Sequence, residues 1–267
     1  MEYNLQEILD FDDKLHEKFE EIGNRFTPVF ASSKYPATAT TLIGLMSSAN
    51  SVKLGIYDLA EACDTHLYVI KVLHRTVIEH YLKFYYILFR FINEKTDEVG
   101  LEYRKYSKIS ETLAFVNASS ASSAIAGKST DSAVLKRLRK ECPEYDISKK
   151  ELNEITFKWK HRSIVKYIKK NTGIIQNEKS FILKLIPEYA ELSSFIHGGT
   201  FAEEYYHGVC EAGKLKEVVF NEVWEVAFMA ASMKVHLLQT VVLIDDSFVE
   251  DMASLSEVVE CFIKPRT

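Results

Sequence analysis

Between Leu67 and Ile92 the chain leaves itself almost no polar face. At about 100° per residue, Leu67, Val69, Ile70, Val72, Leu73, Val77, Ile78, Leu82, Phe84, Ile87 and Leu88 fall on every side of one helix. A helix that is apolar all round has to be buried on all sides, so other elements must surround it. Those elements are helices too. Only 10 Gly and 5 Pro punctuate 267 residues, and long segments of 3.6-residue period dominate. The fold class that follows is all-α: a multi-helix bundle with long central helices.

The pattern predicts helices over about 2–23, 37–61, 65–94, 97–118, 130–141, 148–157, 161–171, 178–197, 216–246 and 254–262. Asp64 is placed to cap the third, and Ser148 with Glu151 reads as a capping box. FTPVFASSKYP reads as a loop and NASSASSAIAGKST as a frayed end or flexible loop. Pro187 is expected to start or kink its helix, and HGG at 197–199 to end it. No internal repeat or domain boundary stands out. The reading is therefore one helical domain over 1–267, with the long 216–246 helix packing on the rest.

With 47% hydrophobic residues the chain can build a sizeable core, and its net charge of -5 is not that of a broadly nucleic-acid-binding protein. The charge is uneven, however. Residues 134–170 hold twelve Lys/Arg against five Asp/Glu, and 201–267 hold twelve Asp/Glu against five Lys/Arg. These are either solvated helix faces that attract each other or, for 134–170, a phosphate-binding patch. The four cysteines, Cys63, Cys142, Cys210 and Cys261, show neither disulfide nor metal spacing. Reduced thiols in the cytoplasm fit them. YLKFYYILFRFI at 81–92 is too short and too interrupted by Lys83 and Arg90 to span a bilayer. GKST at 127–130 lacks the glycine and the strand of a phosphate-binding loop. Glu204 and His207 make a lone E-x-x-H, whereas a di-iron bundle needs two such pairs. No metal and no cofactor are expected.

Polar groups inside the apolar helix are the candidate chemistry. Arg75 and Glu79 sit about 40° apart on one face and can pair, while His80 lies about 140° from Arg75. A buried charge needs a partner, and removing one member of a buried pair costs about 3–5 kcal/mol. Tyr189, Ser193 and His197 recur at four-residue spacing on another helix, with His197 on its last turn, where the helix dipole favours imidazolium. These five residues are expected to converge. The group is either a structural network that fixes packing or a polar pocket. The aromatic run 84–91 reads as core or dimer interface, and the apolar 67–92 surface predicts self-association.

The order Arg75-x-x-x-Glu79, then Trp159 in FKWKHRSIVKYIKK, then Tyr189-x-x-x-Ser193-x-x-x-His197-Gly198 resembles an uncharacterised bacterial helical family, domain of unknown function 5677. The resemblance covers about 40–200 and implies a fold and a pocket, with Lys158 and Arg162 beside Trp159 as further binding residues. RTVIEH, Arg75 to His80, also resembles the R-x4–6-H pattern of HEPN domains, which are helical, often dimeric, and in many cases metal-independent ribonucleases of toxin or anti-phage systems. Thr76 after the arginine and the position in the first third of the chain depart from that pattern. The HEPN resemblance implies a homodimer that cleaves or binds RNA, with a possible partner protein of a defence or toxin system. Arg75 would stabilise phosphate charge and His80 would transfer a proton, with Glu79 and His197 completing the catalytic set. The alternative is a non-catalytic helical module for interaction or small-ligand binding.

Overall fold

The computed structural model describes residues 4–62, 66–126, 134–143, 147–171, 173 and 179–263. Among them are eleven α-helices and no strand: α1 (Leu5–Ser32), α2 (Pro36–Ala62), α3 (Leu67–Glu94), α4 (Glu98–Ile125), α5 (Val134–Glu141), α6 (Lys149–Lys158), α7 (His161–Asn171), α8 (Lys179–His197), α9 (Thr200–Glu211), α10 (Leu215–Val242) and α11 (Val249–Ile263). A short 3-10 turn, Asp246–Phe248, precedes α11. The all-α bundle is the fold the sequence pattern calls for. No helix among the described residues is long and apolar enough to cross a membrane.

Helix α3 is the axis of the molecule. It packs most heavily on α2, then on α10 and α8, with α7 and α4 filling the remaining sides. Its aromatic run is consumed inside the chain: Tyr81, Phe84, Tyr85 and Phe89 are fully buried. The aromatic part of the surface on which self-association was expected is thus covered by the chain's own helices, while Val69 is 46% exposed. Helix α10 is the second central element, buried almost continuously from Glu222 to Leu238.

Several boundaries differ from the sequence reading, each for a physical reason. Helix α1 runs through Pro28 to Ser32. Phe26 and Phe30 are buried in the core, and their packing holds the last turns despite the hydrogen bond that proline removes. Pro36 opens α2, where its missing N–H is harmless. The Asp97 carboxylate then accepts from the amides of Ala37 (2.9 Å) and Thr38 (2.7 Å) and caps α2 from the α3–α4 junction. Gly100 is what allows this approach, because a Cβ there would collide with the Thr38 backbone. Helix α4 continues to Ile125 through the small residues read as a frayed end; alanine and serine are tolerated in a helix and no Gly or Pro interrupts them. The Ser148–Glu151 capping box is present. Pro187 lies inside α8, and Gly198, at φ 63°, ends that helix. Gly199 starts α9, an element absent from the sequence reading. Asp64, Cys63 and GKST at 127–130 lie outside the described residues.

Candidate functional site

Arg75 ties α3 to α8. Its Nε donates to Ser193 Oγ (3.1 Å) and its Nη2 to Tyr189 Oη (2.7 Å), while Nη1 reaches Glu79 Oε2 at 3.4 Å. The guanidinium lies 4.3 Å from the centroid of the Tyr189 ring, whose other neighbour is the stacked ring of His161 at 4.0 Å. Glu79 also accepts from Lys83 Nζ (2.7 Å). Burial alone would raise the Glu79 pKa, but the charges of Lys83 and Arg75 bring it below the ordinary glutamate value. Burial lowers His161 and raises Tyr189. Four of the five residues expected to converge do so. The fifth, His197, is exposed on the last turn of α8, and no hydrogen bond or ion pair joins it to Arg75 or Glu79 among the described residues.

His80 turns away from this knot. Its Nδ1 lies 2.8 Å from the Thr76 carbonyl oxygen, and the ring borders an open groove of about 500 Å3 between α2 and α4, with Thr40, Ser48, Tyr103, Arg104 and Ser107. Burial lowers its pKa. Trp159 is 2% exposed and packs against Tyr86, Tyr103 and Tyr106, so it belongs to the core. Lys158 donates to Glu102 (2.8 Å), and Arg162 is exposed on α7.

The most concentrated chemistry lies one residue before Arg75, where the sequence reading did not place it. His74 is fully buried. Its Nδ1 contacts Glu222 Oε2 at 2.5 Å, and Lys71 Nζ donates to Glu222 Oε1 at 2.6 Å. Glu225, one turn along α10, accepts from Lys184 of α8. Glu188, also of α8, completes a polar core shared by three helices. Burial disfavours the His74 imidazolium, but Glu222 outweighs it and raises the pKa. Burial would likewise raise Glu222, yet His74 and Lys71 hold it at about 2. Glu188 is pushed up to about 7 by burial and by the neighbouring Glu225. The sequence signal was available: Glu222 and Glu225 are three residues apart in the otherwise apolar segment VVFNEVWEVAFMAA. Such charges in a buried helix must be partnered.

A second buried group joins α1, α2 and α10. Lys53 donates to Asp12, and Lys234 Nζ stands 3.7 Å from the other Asp12 oxygen, too far for a hydrogen bond. All three are at most 4% exposed. Comparison of the chain with family models, with curated proteins and with solved structures found no match.

Proposed function

We propose that the chain is a non-catalytic helical binding module, in which Arg75 acts as a packing lock between α3 and α8. The observation that carries this reading is the engagement of Arg75: Nε, Nη1 and Nη2 are all directed at partners within the chain. His80 borders a separate groove on the α2–α4 side. An arginine that stabilises phosphate charge needs donors free to turn to the substrate. A general acid or base must stand within hydrogen-bond reach of the proton it moves. Within one chain, Arg75 and His80 do not share a cleft.

RNA binding without cleavage is the second reading, favoured by a specific observation. Lys149, Lys150, Lys158, Lys160, Arg162, Lys166, Lys169 and Lys170 are all exposed on α6, α7 and the turn between them. Such a surface suits a phosphate backbone, and binding through it weakens steeply with salt as counterions are released.

One experiment separates these readings from the ribonuclease expectation. Purified protein and its His80→Ala variant are incubated with total RNA at low salt, with and without EDTA. The binding-module reading expects no cleavage by either protein. Cleavage by the parent that persists in EDTA and disappears in His80→Ala overturns it. Salt-sensitive RNA binding without cleavage selects the second reading.

A further inference from the structure

We propose that His74, Glu188 and Glu225 form a binding site for one first-row divalent cation, of the zinc or manganese type, clamping α3, α8 and α10 together.

Three observations carry this. The first is convergence. One ligand atom from each residue lies within 4.8 Å of the other two, and His74 Nε2 is 3.8 Å from Glu225 Oε2. Bonds of about 2.0–2.2 Å to a common ion place neighbouring ligands roughly 3–4 Å apart, so small carboxylate rotations close the shell.

The second is vacancy of the right atoms. His74 Nε2, Glu188 Oε2 and Glu225 Oε2 are each buried without a hydrogen-bond partner. Unpaired buried polar atoms are rare and costly. Here they belong to the three residues whose ligand atoms converge, and His74 is completely inaccessible. The neighbouring cations engage the other oxygens: Lys71 takes Glu222 Oε1, and Lys184 takes Glu225 Oε1.

The third is the orientation of the imidazole. In the neutral ring that a metal requires, Glu222, an acceptor when ionised, makes Nδ1 the protonated nitrogen, which leaves the Nε2 lone pair for the ion. A carboxylate behind a histidine is the arrangement that fixes metal-ligating imidazoles and raises their basicity. The charges agree. Glu188, Glu222 and Glu225 face Lys71 and Lys184, so a neutral His74 leaves the group one positive charge short.

One nitrogen and two oxygens without sulfur suit zinc, manganese or ferrous iron. Three protein ligands leave a coordination position for water, on the side where Glu188 is half-buried and Lys184 exposed. This site is independent of the Arg75 lock and of the basic helices.

The test uses the full chain stripped with EDTA and titrated with Zn2+ or Mn2+ by calorimetry, with Co2+ absorption as a second readout. The expected result is one saturable equivalent per chain, a Co2+ spectrum of a nitrogen–oxygen shell, and a melting temperature that rises with metal. Glu188→Gln, at a half-buried position, is expected to keep the metal-free melting temperature within a few degrees and to weaken binding at least about tenfold, the scale seen even for outer-shell changes. His74→Gln, which keeps a donor for Glu222, is expected to abolish binding. If His74→Gln does not fold, Glu188→Gln decides alone. No saturable binding of either ion by the parent chain overturns the site, as does binding that survives Glu188→Gln undiminished, which would place the ion on other residues.

Discussion

Helix α10 carries two buried polar groups that solve the same problem with opposite sign. Near its start, Glu222 and Glu225 meet His74, Lys71, Lys184 and Glu188. About three turns later, Lys234 meets Asp12 and Lys53. The first group holds three carboxylates against two ammonium groups, the second two ammonium groups against one carboxylate. Taking an ion from water into a protein costs several kcal/mol even after relaxation, so each excess charge has to be answered. The acidic group answers with protons: Glu188 is pushed up to about 7 and His74 is raised. The basic group answers by holding its protons less tightly: burial pushes Lys53 down to about 8, against the attraction of Asp12, and Lys234 is lowered as well. What separates the groups is ligand chemistry. The acidic one brings the ligand atoms of three residues together and can take a cation. In the basic one Asp12 is the shared counter-ion of two lysines.

The sharpest way to break this comparison is Asp12→Asn. It strands two buried ammonium groups at once, and a loss of about 3–5 kcal/mol is expected, read by urea denaturation. A loss below about 1 kcal/mol would show that Asp12 does not hold the pair. On the acidic side Lys71→Met removes one partner of Glu222 but leaves His74 donating. The expected loss is smaller, about 2–3 kcal/mol, and equality with Asp12→Asn would remove the asymmetry.

The third test is the pH dependence of the basic group. Lys53 has a folded pKa of about 8, below its ordinary value near 10.5. Between those values the unfolded chain binds the extra proton, so stability rises with pH. The cost of the buried charge is fully present below pH 8 and is relieved by up to about 3 kcal/mol by pH 10.5. Lys53→Met should flatten that part of the stability curve, and an unchanged slope would refute the assignment.

Arg75→Ala probes the lock outside both groups. Arg75 is 19% exposed and its partner Glu79 38%, so solvent screens the ion pair and the loss should be about 1–2 kcal/mol, mostly from the bonds to Tyr189 and Ser193. In a chain of this size that lowers the melting temperature by roughly 2–8 °C. The smallest effect is expected for Lys234→Met. It removes a buried charge with no hydrogen bond and fills the space with an apolar stem, so stability should change by less than about 1 kcal/mol or rise. A loss as large as that of Asp12→Asn would mean that Lys234, and not Lys53, is the partner of Asp12.

Periodicity and the scarcity of breakers are local properties, so the helices of 67–94, 149–158 and 161–171 were legible with their ends nearly right. So was the Arg75–Glu79 pairing, which helical spacing alone imposes, and the four-residue recurrence of Tyr189 and Ser193. Helix α9 escaped because Gly198 and Gly199 read only as an end, while in the fold the second glycine also begins the next helix. The end of α1 escaped because local propensity around Pro28 was outweighed by the burial of Phe26 and Phe30.

What the tertiary structure alone decided is which charges meet. Nothing local distinguishes His74 from His80 as a future partner, and the apolar setting of Glu222 and Glu225 says that they need partners but not which. The crossing of α3, α8 and α10 brings together residues 148 and 151 positions apart in sequence, and the same packing turns His80 toward α2 and α4 while Arg75 faces α8. Side-chain period fixes which face of a helix a residue occupies. Only the packing of helix on helix determines what that face finds opposite.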